Sequence, residues 1–544
     1  MSSVLNAIRG KIGGAPLDAQ TISKAIPEIR RTEEIPSFHR ILNNILPGLD
    51  VTKEIVFLET SDKQCFQLCS KGSLTGIEMF QLKNLVQRAG YTISKTYVAP
   101  DEIISAMISS ERKALEISKT RGESDSIAMF DELLEFALNE RASDIHFERR
   151  DTITSIKMRI FGDLQLVREL DNETAENVMR VALTVLGDEG SKPQTFNINE
   201  MQQASITRKI AGIAVKLRAQ TTPAFTIGGE GQDAVMRVLP MSASGAARAT
   251  LETLGYTKEQ IEILETAKTS PSGATVFAGV TGSGKSTSLD ALLRGIIAES
   301  EGRKKIFTVE DPAEYLILGS TQIPVQRGLK GQVGNPFANA MRAAMRADPD
   351  YIMVGEVRDE ESSQLLQRMI MSGHAVLTTV HTSSAIKIPA RFADLGIDRS
   401  VMSSPDFWVA MVYQKLVQTL CTHCSIPWKE HPSFEDKGLL QRILRVTESD
   451  IDGIRANGSG CEHCKGRTIS GRTVAAEVIQ PDYKMLEFFR SEDEYGMMRY
   501  WRGDTGIAKS ALGTAVAKMK AGIVSPMELE DAFGKGVYLR GLDI

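Results

Sequence analysis

The sequence predicts a multidomain α/β protein, and three observations carry this prediction. At 544 residues the chain is too long for one hydrophobic core, because a domain averages about 150 residues. A short apolar run at 274–278 breaks into a glycine-rich loop and then into a helical pattern, which is the order of a nucleotide-binding strand, loop and helix. Further uninterrupted apolar runs follow, and such runs are typical of a parallel sheet covered on both faces.

The glycine-rich loop predicts a binding site for the phosphate groups of a nucleotide. It consists of Gly279, Val280, Thr281, Gly282, Ser283, Gly284, Lys285, Ser286 and Thr287. Glycine lets backbone N–H groups converge on an anion, Lys285 supplies a positive charge for the β and γ oxygens, and the Ser286 hydroxyl is placed to ligate Mg²⁺. Leucine and isoleucine then recur at helical spacing from 289 to 297. We therefore expect ATP and Mg²⁺ at this loop.

Carboxylates and histidines stand at the ends of the next apolar runs. The run 306–309 ends at Glu310, the run 351–354 is followed by Glu356, and the run 375–380 lies between His374 and His381. The carboxyl ends of parallel strands meet at one edge of a sheet, where an α/β fold binds its ligand. We therefore expect these strand ends to meet at one bound nucleotide.

The overall charge argues against nucleic acid as a partner. The chain has 64 Lys and Arg against 69 Asp and Glu, a net charge of −5, which gives no general attraction to nucleic acid or to an anionic membrane. No apolar run approaches the roughly 18 residues that span a bilayer, and the first residues lack the apolar core of a signal peptide. We therefore expect the protein in the cytosol.

Two α/β units are predicted ahead of the glycine-rich loop. The first has strands at 55–58, 65–69 and 91–97, a helical pattern at 77–90 and a helix from about residue 100. The second opens with a separate helix at 124–141 and continues with strands at 153–160 and 165–167, and residues 240–247 are interpreted as a linker. Cys65 and Cys69 lie on one face of a strand and are expected to be buried rather than to bind metal.

Two cysteine pairs follow the nucleotide-binding region and predict a structural zinc site. They are Cys421 with Cys424 and Cys461 with Cys464, the spacing of a tetrahedral site closed by four thiolates. His423 and His463 lie between the paired cysteines and are expected on the surface, because four thiolates complete the coordination. Further along, residues 525–528 predict a capping box that opens a small helix.

Together these motifs resemble those of the secretion ATPases that power type II secretion and type IV pilus assembly. The loop at 279–287 matches the family's Walker A box, 308–314 its aspartate box, 348–359 its atypical Walker B box, and 373–382 its histidine box. Upstream, residues 142–148 resemble the signature of the second N-terminal domain. The four cysteines match those of the assembly branch, which the shorter retraction ATPases lack.

The resemblance implies a domain order and a set of partners. It implies a divergent N-terminal α/β domain at 1–120, a PAS-like second N-terminal domain at 124–240, a RecA-like P-loop domain at 248–420, a zinc subdomain at 421–470 and a helical subdomain at 471–544. It also implies a homohexamer that drives an inner-membrane platform protein and is recruited through partners to the inner face of that membrane.

Individual residues can now be assigned roles. Glu310 and Glu356 are the strand-end carboxylates placed to polarise a water molecule, and Glu310 is assigned the water-activating role narrowly ahead of Glu356, which is placed in the Mg²⁺ shell; sequence alone leaves the two exchangeable. The resemblance implies the remaining roles. His381, ahead of His374, is linked to the nucleotide. Arg218 and Arg237 fall where relatives place arginines that reach ATP.

Departures and rival functions remain at this point. Phe161 replaces the family's usual aspartate and Ala219 its usual serine, and residues 1–120 lack the Arg-Leu-Gly motif that binds cyclic dinucleotide in some relatives. These departures favour a specialised system, such as a type IVb or plasmid-borne pilus. The rivals are a retraction or DNA-transfer ATPase of the same superfamily, a nucleic-acid translocase, and a nucleotide-binding scaffold without turnover.

Overall fold

The computed structural model describes most of the chain, in two compact units that divide at Met129 and Phe130. The described residues are 26–31, 34–44, 46, 49, 54–61, 63–75, 77–241, 249–311, 313–325, 335–503 and 509–535. Most of the predicted linker, residues 242–247, lies outside them. No helix within these ranges is both long enough and apolar enough to cross a membrane.

The first unit is a four-stranded sheet with a helix. Its elements are β1 (Arg40–Ile41), β2 (Ile55–Ser61), β3 (Gln64–Cys69), α1 (Ile77–Arg88) and β4 (Thr92–Val98), and the strand order is β1-β2-β3-β4. Only the β3–β4 pair is parallel. Cys65 and Cys69 are fully buried, and burial raises the pKa of each thiol to about 11. The prediction that they are buried small side chains is confirmed.

A single long helix, α2 (Asp101–Asn139), begins in the first unit and continues into the second. The sequence predicted two separate helices here, and that prediction is wrong. Gly122 and the polar residues around it interrupt the apolar spacing between the two predicted helices. One glycine costs a helix only about 1 kcal/mol, which a helix of 39 residues tolerates.

The second unit begins with an antiparallel sheet that packs on the last turns of α2. Its elements are β5 (Ala142–Arg149), β6 (Ile153–Ile160), β7 (Asp163–Asp171), α3 (Asn172–Arg180) with a π-helical turn (Val181–Val185), β8 (Gln203–Ile210), β9 (Ile213–Ala224) and β10 (Gly231–Pro240). The strand order is β7-β6-β5-β10-β9-β8. Phe130 and Leu134 of α2, Phe147 of β5 and Val178 of α3 are buried, so one face of the sheet is covered by helices.

The nucleotide-binding region follows as a second, larger sheet. Its elements are α4 (Leu251–Leu254), α5 (Lys258–Thr269), β11 (Gly273–Ala278), α6 (Lys285–Ser300), β12 (Ile306–Glu310), β13 (Ser320–Pro324), α7 (Pro336–Met345), β14 (Tyr351–Val354), α8 (Glu360–Met371), β15 (Ala375–Val380), α9 (Ile388–Asp394), α10 (Arg399–Met402) and β16 (Trp408–Leu420). Every residue of β11, β12, β14 and β15 is buried, as predicted for apolar strands covered on both faces.

The carboxyl-terminal part completes this sheet and adds the cysteine region. Its elements are β17 (Ile426–Pro427), α11 (Lys437–Thr447), β18 (Arg455–Ala456), β19 (Ile469–Ile479), α12 (Tyr483–Arg490), α13 (Glu494–Arg502), α14 (Ala511–Lys520) and α15 (Pro526–Phe533). The strand order is β13-β12-β14-β15-β11-β16-β19, in which β19 alone is antiparallel to its neighbour. Residues 421–468 therefore connect two antiparallel strands.

The predicted capping box at the start of α15 is only half formed. The Ser525 hydroxyl accepts the Glu528 N–H at 3.1 Å, as predicted. The Glu528 carboxylate does not return to Ser525 but accepts the backbone N–H of Gln418 on β16 at 2.8 Å. Because α15 packs on β16, the Glu528 carboxylate accepts a hydrogen bond from β16 and not, as the capping box predicted, from the start of its own helix.

Candidate nucleotide site

The glycine-rich loop lies between the buried end of β11 and the first turn of α6. Gly284 is the residue before the helix, with a left-handed φ of 86°, and no side chain caps the free N–H groups of α6. A β-carbon at Gly279 would lie 2.5 Å from Ser283 Oγ, so the loop closes too tightly for a side chain there. Uncapped N–H groups at a helix start bind anions. The loop therefore fits a phosphate group.

Lys285 is the first residue of α6 and lies over the loop. Its ammonium donates to the carbonyl oxygens of Gly279 at 2.7 Å and Val280 at 3.1 Å. Burial lowers the pKa of Lys285, and the charge of Glu356 acts in the opposite direction. Among the described residues, the buried Ser283 Oγ has no hydrogen-bond partner. The charge and the polar atoms that a phosphate requires are thus present.

Glu310 ends β12 with a carboxylate that is almost fully buried. One of its oxygens accepts the Thr308 hydroxyl at 2.6 Å and the Gln322 amide at 3.0 Å. Burial raises the pKa of Glu310, and these two hydrogen bonds oppose that rise. A poorly hydrated carboxylate with a raised pKa is a suitable acceptor for the proton of a water molecule.

Glu356 follows β14 and is held differently. Its carboxylate pairs with Arg358 at 2.7 Å and with His381 Nε2 at 3.1 Å. The Nδ1 atom of His381 lies 2.9 Å from the carbonyl oxygen of Gly279. His381 therefore connects Glu356 with the glycine-rich loop.

His374 lies at the opposite end of the same strand. It precedes β15 and contacts Ser372 Oγ at 2.9 Å and the Met369 carbonyl oxygen at 3.1 Å. The seven residue steps along β15 from His374 to His381 span about 23 Å. The sequence-based link between His374 and the nucleotide is therefore wrong, because a parallel strand places only its carboxyl end at the ligand.

Arg218 and Arg237 lie on the six-stranded sheet (β5–β10) and face the nucleotide-binding region. They are directly opposite each other on β9 and β10 and line a cleft of about 650 Å³ together with Asp311 and Val325 of the larger sheet. Arg237 Nε also contacts Asp144 at 3.2 Å. Asp311 comes directly after Glu310, so both arginines lie on the side of the cleft that faces the predicted site.

The four cysteines come together after β16 and before β19. Their sulfur atoms lie within 4.8 Å of one another, with separations of 3.7 Å for Cys421 and Cys461 and 3.8 Å for Cys424 and Cys464. Four thiolates arranged tetrahedrally at a Zn–S distance of 2.3 Å would be about 3.8 Å apart. The cluster therefore has the dimensions of a zinc site.

The surroundings of the cluster favour a thiolate at Cys464. Burial raises the pKa of Cys464, but hydrogen bonds from the N–H groups of Cys461 and Thr468, each 3.3 Å from its sulfur, and from the neighbouring cysteines more than offset this, and the pKa falls to about 6. Burial and the same neighbours instead raise the pKa of Cys424 to about 12, so one thiolate of the cluster forms at the expense of another. His423 and His463 are exposed, as predicted, and their rings stack at 3.9 Å. They lie outside the four-sulfur cluster.

An ion-pair group connects the cysteine region to the end of α2. Glu140, just after this helix, pairs with Lys465 at 2.6 Å and with Arg467 at 2.5 Å. Nearby, Gln418 of β16 donates to the Phe161 carbonyl oxygen at 3.2 Å and to Asp163 at 2.9 Å. Polar contacts therefore connect the six-stranded sheet (β5–β10) and the end of α2 to the cysteine region and to β16.

Comparison with known proteins identifies the family. The model of the family described as "Type II/IV secretion system protein" matches residues 120–531. The type II secretion system ATPase E of Vibrio cholerae is 31% identical over 418 residues, which is 76% of each chain. The chain belongs to the type II/IV secretion system protein family.

One further relative and one solved structure extend the comparison. The type IV pilus assembly ATPase PilB of Thermus thermophilus is 32% identical over 350 residues, 64% of this chain but 36% of PilB. The solved structure of the Legionella pneumophila ATPase DotB has a TM-score of 0.52 at 22% identity and covers 74% of this chain and 94% of its own. DotB therefore supports the fold alone.

Several predictions from the sequence of this secretion family member are confirmed. They are the family, the multidomain α/β fold and the ATPase class, since family members include proteins named as ATPases. Thr308 and Gln322, which hold Glu310, were missed. Thr308 lay inside the recognised aspartate box as a polar side chain in a buried run, which was the available signal. Gln322 reaches Glu310 only through the pairing of β12 with β13.

Proposed function

We propose that this chain hydrolyses ATP with Mg²⁺ in the RecA-like region and uses the energy to drive fibre assembly. One observation carries the proposal. The glycine-rich loop, two carboxylates and a histidine converge at the carboxyl ends of adjacent parallel strands, with His381 bonded to the loop at 2.9 Å. Phosphoryl transfer depends on this combination of phosphate cradle, positioned water and charge stabilisation.

The proposed roles follow from the contacts of each residue. Lys285 and the first N–H groups of α6 would hold the phosphates, and Ser286 with Glu356 would hold the metal. Mg²⁺, when bound, neutralises phosphate charge. Glu310 accepts the proton of the attacking water, because its burial raises its pKa while Thr308 and Gln322 fix one of its oxygens.

The arginines of the first sheet are proposed to complete the site. Arg218 and Arg237 lie across the cleft from Asp311, and a guanidinium at the γ-phosphate stabilises the charge of the transition state. Movement of the second N-terminal domain, 124–240, against the RecA-like domain, 248–420, would make or break this contact. The contact of Arg237 with Asp144 holds its side chain within the cleft.

We further propose that Cys421, Cys424, Cys461 and Cys464 bind one structural zinc ion. The sulfur separations support this assignment. Zinc would neutralise the thiolates and order the subdomain at 421–470, since structural zinc binding contributes directly to folding. The predicted helical subdomain, 471–544, begins within β19 of the larger sheet, and its α14 and α15 pack against the same apolar cluster as α11.

At the cellular level we propose a homohexamer on the cytoplasmic face of the inner membrane. It would act on a platform protein that assembles a type IV pilus or a type II secretion pseudopilus. The relatives named for type II secretion and for pilus assembly support this direction. The four-cysteine cluster favours assembly over retraction, because it resembles a feature of the assembly branch.

The test combines an assay of the purified chain with one in its native host. The full chain should release phosphate from ATP, a Lys285→Ala variant prepared in parallel should not, and single-stranded DNA should leave the rate unchanged. Stimulation by DNA would favour a translocase. In the host, Lys285→Ala should abolish the fibre or the secreted product, whereas an excess of fibres would indicate a retraction motor.

A further inference from the structure

A buried glutamine supports the glycine-rich loop from below. Gln414 of β16 is fully buried, and its Nε2 donates to the carbonyl oxygen of Ser283 at 2.7 Å. A β-carbon added to Gly284 would lie 3.2 Å from this Nε2, and one added to Gly279 would lie 2.6 Å from the Gln414 carbonyl oxygen. Gln414 thus contacts the loop at both ends.

A buried tyrosine fixes the orientation of that glutamine. The Tyr256 hydroxyl, in the turn between α4 and α5, donates to Gln414 Oε1 at 2.6 Å and lies 3.0 Å from Ser288 Oγ in α6. Burial raises the pKa of Tyr256 far above its usual range, so the hydroxyl keeps its proton. A flipped amide would set its oxygen against the Ser283 carbonyl oxygen, and two acceptors cannot bond. One orientation of Gln414 therefore satisfies both contacts.

The bond to Ser283 determines where the next N–H points. In a trans peptide the C=O of one residue and the N–H of the next point in opposite directions. The Ser283 carbonyl points to Gln414 beneath the loop, so the Gly284 N–H points to the other side. Glycine on the carboxyl side makes rotation of this peptide group cheap, because Gly284 can adopt φ values that other residues avoid. Without a restraint, the carbonyl could turn towards the anion.

We propose that Gln414 is a positioning residue for the nucleotide, because its amide holds the peptide group between Ser283 and Gly284 with the N–H towards the phosphates. Tyr256 holds Gln414 in turn. The inference rests on the proposed function, since it assumes that residues 279–287 bind ATP. The proposal adds Gln414 and Tyr256 to the residues that determine the affinity for nucleotide.

The test measures the affinity of the full chain for ATP and for ADP, together with turnover. Gln414→Met removes the amide at nearly constant volume and should weaken both affinities about 10- to 100-fold, the effect of one hydrogen bond to a charged group. The turnover number at saturating ATP should change less than about threefold, because the lost contact is made equally in the ground and transition states. Tyr256→Phe should weaken affinity about 3- to 10-fold.

A matched control separates positioning from loss of stability. Gln260 of α5 is also buried, and its Nε2 donates to a backbone carbonyl oxygen, that of Ala476, at 2.9 Å. Gln260→Met should lower the melting temperature comparably and leave nucleotide affinity unchanged. Equal affinity in wild type and Gln414→Met would overturn the proposal, as would equal losses in Gln414→Met and Gln260→Met. If Gln414→Met does not fold, unchanged affinity in folded Tyr256→Phe overturns it. A wild type that binds no nucleotide would instead refute the proposed function.

Discussion

Replacing Glu140 by glutamine tests whether the ion pairs of Glu140 with Lys465 and Arg467 hold the end of α2 and the six-stranded sheet (β5–β10) against the cysteine region. Glu140 follows α2 directly, and its side chain is only 9% exposed, whereas Lys465 and Arg467 are 56% and 18% exposed. A carboxylate at a helix carboxyl terminus is unfavourable by itself, because the free carbonyl groups there carry partial negative charge. Both cations are therefore needed to stabilise it.

The expected loss can be worked out contact by contact. The half-exposed Lys465 contact is worth about 0.5 kcal/mol, as for a surface ion pair. The Arg467 contact is a mostly buried ion pair, and leaving the guanidinium without an anionic partner costs about 2 kcal/mol. Glu140→Gln should therefore destabilise the local closed state by ~2 to 3 kcal/mol, which corresponds to an increase of ~30-fold or more in its opening.

Hydrogen exchange followed by mass spectrometry measures this opening. Amides of 136–142 and 461–468 should exchange ~30-fold faster in Glu140→Gln at pH 7, because exchange follows the population of the open state. Glu132→Gln is the matched control: Glu132 lies on the same helix and pairs with Arg168 at 2.7 Å, but it is 61% exposed. Faster exchange in both variants, or in neither, would refute the reasoning.

The pH dependence of the same experiment has a defined sign. The hydrogen bonds from Lys465 and Arg467 outweigh burial and hold the pKa of Glu140 below its ordinary value. A depressed carboxyl pKa contributes stability above the unfolded value of about 4.3 and loses it as the pH falls through the folded value. The difference between wild type and Glu140→Gln should therefore be complete at neutral pH and shrink below about pH 4.

Further variants test the site itself. Glu310→Gln should bind ATP normally and lose turnover by about 10²- to 10⁴-fold, since an amide accepts no proton; wild-type turnover would exclude Glu310 as the base. Gln322→Met removes a hydrogen bond that opposes the raised pKa of Glu310, so the acid limb of the turnover profile should move to higher pH; an unmoved limb would contradict the contact. Arg237→Ala should reduce turnover by roughly 10³-fold with a small loss of affinity, and Arg237→Lys should not restore it, because a point charge lacks the planar fork; full activity in either would remove the arginine from the mechanism. Cys464→Ser should lower the zinc content measured by elemental analysis while ATP affinity stays near that of wild type; unchanged zinc would reject the assignment.

The nucleotide-binding sheet could be predicted because its signals are local. The apolar runs that became β12, β14 and β15 are bounded by polar residues within the same short stretch of chain. The continuity of α2 could not be read in this way. Gly122 is the signal of a helix end, and the neighbouring polar residues show no apolar spacing that predicts a continuous helix.

The details of the site depend on contacts between distant parts of the chain. Glu140 and Lys465 are 325 residues apart, and no spacing rule relates them. Gln414 was visible only as the first of two adjacent polar residues, with Lys415, that interrupt the apolar run that became β16. The local motif at 525–528 was misleading for Glu528, because tertiary packing offered its carboxylate a backbone N–H on another strand.

The strand β16 restricts how this region of the chain can vary in length. Gln414 and Gln418 are four residues apart and lie on one face of the strand, about 13 Å from each other; one contacts Ser283, and the other contacts Phe161 and Asp163. Inserting one residue between them would turn the second glutamine to the opposite face. Inserting two would restore its face but move it by about 6.6 Å. Insertions and deletions in homologous chains should therefore be excluded from this stretch and fall in loops beyond the strand.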